Sequence, residues 1–187
     1  MVDVFTLSSP AQRGTSLIEV LVTIIILTIG LLGLAGLQMR LQSSEMEAYQ
    51  RSQAIMLVND MAGRIASNRA DAASYVTGAG SPLGAGMTCP TGATPQKIDA
   101  NEWCNALQGA AETMGGGQVG AVVGGRGCVE DLGNNEYLIT VAWQGMTPVS
   151  APAPACGQGL YNGGTACTGD LCRRVVTTVI RIGDLTS

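Results

Sequence analysis

The sequence predicts an α+β fold: a long amino-terminal helix, its first half membrane-spanning, packed against a small antiparallel sheet with disulfide-tied loops. Three observations carry that prediction. An uncharged apolar stretch of twenty residues lies between Glu19 and Arg40. The segment after it runs to about residue 70 without proline, and with Gly63 as its one glycine. Near the carboxyl end, "EYLITVAW" (136–143) and "CRRVVTTVIRI" (172–182) are rich in β-branched residues and alternate as strands do. Helix first and strands later is the pattern of an α+β chain.

Composition narrows the function classes. The chain has 187 residues, 46% of them hydrophobic, but only 4% aromatic, with 26 glycines. That mix builds a modest core with many loops. Net charge is −4 and the ten Lys and Arg are scattered, which argues against a nucleic-acid surface. There is no histidine. Ser-His catalytic arrangements and His-containing zinc motifs are therefore excluded. No nucleophile has a base beside it, and no phosphate loop or metal spacing occurs, so the expectation is no enzyme, no cofactor and no metal.

The first element is the apolar helix. At about 1.5 Å per residue, twenty residues span about 30 Å, the thickness of a bilayer's hydrocarbon core. A secretory signal cut near "GLAG" (33–36) fits less well: the stretch is long for such a signal, and the leading stub lacks a basic character. Glu19 sits just inside the leading end, where a carboxylate is costly, so it needs a partner. Arg13 lies six residues back. The other candidate cation is an α-amino group. A cut after Gly14 would place a new amino terminus on Thr15, four residues from Glu19, and a second copy could offer its amine to this carboxylate. Gly30, Gly33 and Gly36 share roughly one side of the helix, each costing about 1 kcal/mol relative to alanine. They fit close helix packing in a membrane or a point where the helix loosens.

Beyond Arg40 the helix is expected to continue to about residue 70, with Leu41, Ala48, Ile55 and Ala62 recurring every seven residues and Val58 and Ile65 in a second row. Glu47 with Arg51, and Asp60 with Arg64, have the i,i+4 spacing of surface ion pairs that support a helix. From residue 77 the chain is Gly-, Pro-, Ser- and Thr-rich and reads as loop. A short helix is expected around 99–110 and a brief strand near 118–123. Tyr137, Ile139, Val141 and Trp143 share one strand face, and "GNN" before them predicts a hairpin with 128–132. In the last strand Val176, Ile180 and Ile182 face the core, with Arg173 and Arg181 outside. About four strands are expected in all. Trp143 reads as core; Trp103, beside Cys104, reads either as core or as a ligand contact.

Six cysteines, Cys89, Cys104, Cys128, Cys156, Cys167 and Cys172, all follow residue 85, and none forms a C-x-x-C pair. An even number behind an apolar amino-terminal segment points to disulfides in an oxidising compartment. Six cysteines permit 15 pairings, and the spacing does not choose among them.

A polar leader ending in Gly14, followed at once by "TSLIEVLV" with glutamate fifth, resembles the processing site of type IV prepilins and pseudopilins. The resemblance implies a leader (1–14), a transmembrane and filament-core helix (15–39), a periplasmic continuation (40–76), a variable region (77–127) and a sheet with a cysteine loop (128–187). It implies that a prepilin peptidase cuts between Gly14 and Thr15 and methylates Thr15. Glu19 would then dock on the amine of an adjacent subunit. Two positions depart from most major pilins: Thr15 stands where they have Phe, and Gly36 where they often have Pro. "YLITVAWQG", the cysteine loop and "CRRVVTTVIRI" together resemble the minor pilins known as type IV pilus modification proteins, PilV.

That resemblance implies a minor pilin that primes pilus assembly and lies near the tip, supporting pilus display, twitching motility and adhesion. Its partners would be other minor pilins, the major pilin, the prepilin peptidase and the inner-membrane assembly platform. It would sit in the inner membrane with a periplasmic domain, and then in the surface fibre. The alternative is a pseudopilin of a type II secretion or DNA-uptake system. The acidic residues Glu130, Asp131, Glu136, Asp170 and Asp184 are too scattered for a calcium site of six to eight oxygens.

Overall fold

A computed structural model of the chain describes residues 14, 16–109, 113–114, 117–118 and 122–183. Its internal contacts divide the chain into two units, Met1–Gln42 and Ser43–Ser187. The first contains the whole apolar stretch. Helix α1, Leu17–Ser67, begins there and continues into the second unit. It ends at Ser67, and 3-10 turns over Arg69–Tyr75 follow.

In the second unit α1 buries Gln50, Ala54, Val58, Met61 and Ile65. Steps of four, four, three and four keep these residues on one helix face. This corrects the seven-residue stripe: Leu41 and Ile55 are exposed, and Ala48 is exposed as well. Only Ala62 of that row is packed against the core, while Val58 and Ile65 are buried as expected. A strict seven-residue repeat drifts around a straight helix, so it does not track the buried face over several turns.

The next elements are β1 (Leu83–Gly84), α2 (Pro95–Gln108), β2 (Thr113–Met114), β3 (Gly117–Gln118), β4 (Arg126–Gly133), β5 (Glu136–Gln144) and β6 (Arg173–Arg181). Helix α2 starts four residues before the expected helix, with Thr94 before it and proline at its first position, where a missing N–H costs nothing. Gly109 closes it in the left-handed conformation (φ 88°). The strand expected near 118–123 is shorter: β3 ends at Gln118, residues 119–121 lie outside the described residues, and 122–124 form a turn.

The main sheet has the order β1-β4-β5-β6, antiparallel throughout, and β2 pairs with β3 separately. The expected hairpin is present, with Cys128 opposite Thr140 and Gly133 opposite Glu136. Asn134 (φ 54°) and Asn135 (φ 61°) make its two-residue turn. Both central residues at positive φ match the twist of antiparallel strands, and asparagine tolerates that region better than most residues. The fourth strand, β1, lies in the glycine-rich region read as loop.

Opposed residues lie on the same sheet face. On one face Tyr137, Ile139, Val141 and Trp143 of β5 join Val129 of β4 in the core with α1 and α2. Trp103 of α2 is fully buried there and donates from Nε1 to the carbonyl of Leu57 at 2.8 Å. Its ring lies over Gly127, so a Cβ at that glycine would come within 2.1 Å of it. Both tryptophans are therefore core residues. Val176, Ile180 and Ile182 pack against this core, as expected.

The other face is not open along its length. Thr140 and Ala142 are fully buried there, beneath the loop between β5 and β6. Tyr161 of that loop donates to the carbonyls of Gly124 and Ala142 at 2.8 and 3.0 Å. Arg173, expected outside, is 2% exposed. Its guanidinium donates to the carbonyls of Pro152, Pro154 and Cys156, and its Nε lies 3.4 Å from Asp170 Oδ2. The loop supplies oxygens that replace water, which is the condition for burying a charge.

All six cysteines pair: Cys89–Cys104, Cys128–Cys156 and Cys167–Cys172. The middle bridge ties the long loop to the sheet, as expected for the cysteines near the strands. It closes a separation of 28 residues, worth about 3–4 kcal/mol by loop entropy.

Candidate functional site at the start of the first helix

The site belongs to the first unit. The backbone N–H groups of Glu19 and Val20 both bond to the carbonyl of Ser16, at 3.0 and 3.2 Å. Ser16 thus closes the first turn of α1, and Glu19 lies in that turn. A carboxylate there meets the positive end of the helix dipole. Ser16 and Glu19 also have the S-x-x-E spacing of a helix start, a signal that the sequence reading passed over.

Glu19 is exposed and has no ion-pair partner among the described residues. Gly14 is described and exposed. Thr15, Arg13 and the rest of the leader lie outside the described residues, as does Asp184.

The helix that carries Glu19 is built for an apolar surrounding. Leu17 is 91% exposed, Leu32 73% and Ile29 66%. Among the described residues it is the one helix long and apolar enough to cross a membrane. The two hydroxyls of its apolar stretch are satisfied internally, Thr23 donating to the carbonyl of Val20 and Thr28 to that of Ile25, both at 2.8 Å. That matters in lipid, where no water is available to bond them. At Gly30, Gly33 and Gly36 an added Cβ would meet nothing within 4 Å, and α1 runs through all three unbroken.

Several charged groups of the second unit are tied into its structure. Arg64 binds Asp60 at 3.0 Å, and also Asp99 at 2.8 Å and Glu102 at 2.7 Å on α2. It therefore joins two helices, which corrects the reading of Asp60–Arg64 as helix support alone. Burial works against its charge, but the hydrogen bonds to the three carboxylates prevail and raise its pKa. Tyr75 donates to Asp99; burial and that bond raise its pKa. Glu47, expected to pair with Arg51, instead binds Arg174 of β6 at 2.6 Å. Asp170 sits at φ 64°, is buried, and accepts the Gly159 N–H as well as facing Arg173. No group of three or more metal-ligating side chains occurs among the described residues.

Comparison with known families gives a match to the prokaryotic N-terminal methylation motif over residues 9–35. No curated protein and no solved structure matches the chain. The matched residues span the Gly14–Thr15 bond, Glu19 and most of the apolar stretch. The motif, the helix start at Ser16 and the exposed apolar helix support membership of the pilin and pseudopilin superfamily, whose members are structural proteins anchored through this segment.

Proposed function

We propose that the chain is a minor pilin, cut between Gly14 and Thr15 and methylated on the Thr15 amine, that takes part in priming type IV pilus assembly and lies near the fibre tip. The observation that carries this reading is the exposed Glu19 carboxylate in the first turn of an apolar helix, inside the matched methylation motif. Moved into lipid alone, that charge is costly. An ammonium group on the cut end of a neighbour offsets the cost, and an attraction of this kind strengthens where water is excluded. Glu19 thus acts as a docking charge that makes assembly more favourable than the lone membrane state. Gly30, Gly33 and Gly36 leave room for neighbouring helices along the same span. The later fibre position, the contacts with other pilins and the assembly platform, and the support of twitching and adhesion follow from this role.

The test is Glu19→Ala in cells that make the fibre. Cleavage proceeds normally, because the bond at Gly14 is untouched, while the variant is absent from sheared surface fibres. Normal incorporation of the variant would overturn the docking role. Co-purification with secretion or DNA-uptake components in place of pilus components would move the chain to the pseudopilins.

A further inference from the structure

Strand β6 is an edge of the main sheet, paired only with β5 among the described residues. Its hydrogen bonds show which backbone groups are left over. Gly145 donates to the carbonyl of Cys172 at 2.7 Å before the strand, and Ile182 to that of Asn135 at 2.9 Å after it. Both contacts continue the β5–β6 register, which runs unbroken from Glu136 opposite Arg181 to Gln144 opposite Arg173. In an antiparallel pair, bonded and non-bonded residues alternate. The even-numbered residues of β6 therefore bond to β5, and the odd-numbered ones turn their N–H and C=O groups outward. At Leu171 that outward carbonyl is taken by the Val149 N–H at 2.8 Å. The outward groups of Val175, Thr177, Val179 and Arg181 have no partner among the described residues.

Exposed edges invite pairing, and proteins guard them with proline, bulges or charge. Between Arg174 and Arg181 this edge has none of the three: the stretch "VVTTVI" (175–180) is uncharged and its register has no shift. The side chains of Val175, Thr177 and Val179 lie on the sheet face away from the core, since Val176 and Ile180 pack into it. Thr177 is exposed and Val179 is 53% exposed. On that face Glu130 lies two strands in, across Leu138. The stretch is also symmetric, with one valine two residues before Thr177 and another two after it.

We infer that β6 pairs with β6 of a second copy, antiparallel about a two-fold axis at Thr177, so that two four-stranded sheets become one. A two-fold contact uses the same patch twice, so the patch must complement itself. Centred on Thr177, the pairing uses the whole stretch 173–181. It sets Val175 against the partner's Val179 and Thr177 against the partner's Thr177, and each of these pairs exchanges backbone bonds. Charge is balanced at both ends. Arg173 meets the partner's Arg181, but Arg173 has Asp170 at 3.4 Å and Arg181 has Glu136 at 4.0 Å. A single strand pair is small beside the roughly 1,200–2,000 Å² of a stable interface, so the association is weak and reversible. The inference uses the second unit alone and holds for a pilin and a pseudopilin alike.

The test is crosslinking of the full chain in detergent with a short bis-maleimide. All six native cysteines are bridged, so an introduced cysteine supplies the reactive thiol. Thr177→Cys should give covalent dimer in at least tenfold higher yield than Leu132→Cys, whose site is exposed on the hairpin. Equal yields overturn the inference. Val179→Pro, added to Thr177→Cys, removes one outward N–H and leaves the bonds to β5 in place, as proline on an edge strand can. It should lower the yield at least fivefold. Val179→Lys, which sets a charge against the partner's Val175, should do the same and serves if the proline variant loses its circular dichroism spectrum. A yield unchanged by these substitutions means that the copies meet elsewhere and overturns the pairing. A mixture of Val175→Cys and Val179→Cys chains should crosslink at least fivefold better than Val175→Cys alone. Equal yields there overturn the two-fold register.

Discussion

The two parts of α1 are continuous in backbone yet obey opposite rules. Up to Gln42 nearly every apolar side chain is exposed and glycine is tolerated three times; from Ser43 the buried residues keep to one face and include a glutamine. The difference teaches that one element can have two solvents. Among the described residues the first part has no packing partner in its own unit, so its side chains specify a surrounding. The second has a fixed partner, so its side chains specify a fold.

The contrast is broken or sharpened by substitution, and the largest effect is expected deep in the second unit. Arg173→Ala leaves three loop carbonyls and Asp170 without their cation. Loss of one partner from a buried pair costs about 3–5 kcal/mol, read as a lowered chemical-denaturation midpoint of the full chain in detergent. An unchanged midpoint would mean that the loop is not held by this residue.

Next come two isoleucines of the same helix. Ile65→Ala, at a fully buried site, should cost about 2–5 kcal/mol. Ile25→Ala, about half exposed, should leave the same unfolding transition unmoved. Equal effects would erase the distinction between the two parts. Glycines extend the comparison with a smaller effect and opposite signs. Gly127→Ala drives a Cβ into Trp103, an overpacking cost of about 1–3 kcal/mol. Gly33→Ala meets nothing and raises helix propensity by about 1 kcal/mol. Circular dichroism on both variants reads the two signs.

The smallest effect is in alkaline solution. The Tyr75 pKa is raised above its ordinary value of 10.0 by burial and by its bond to Asp99. A group raised on folding stabilises fully below its unfolded value, and that contribution is lost as pH rises through the folded one. Thermal stability should therefore fall above about pH 10, and less steeply in Tyr75→Phe. Parallel curves for the two proteins would remove Tyr75 as the source.

Much of this was legible in the residues. The helix followed from the absence of proline and the hairpin from "GNN" with the alternation that follows it. The candidate site followed from Gly14 and Glu19. What escaped depends on contacts distant in sequence. The buried face of α1 includes Gln50 and Met61, which no apolar repeat selects over Leu41 and Ile55. Arg173 occupies an alternation position that reads as exposed, and only the loop of carbonyls 17–21 residues before it makes burial possible. Strand β1 is two residues long and takes its identity from pairing with Gly127 and Arg126. The disulfide pairing depends on which loops fold over the sheet, which spacing alone does not encode.

The most direct measurement is the intact mass of the membrane-extracted protein, with and without reductant. A mature chain that begins at Thr15, carries one methyl group and gains six hydrogens on reduction is the predicted result. An uncut chain, or one beginning near Gly36, would contradict prepilin processing and remove the role assigned to Glu19.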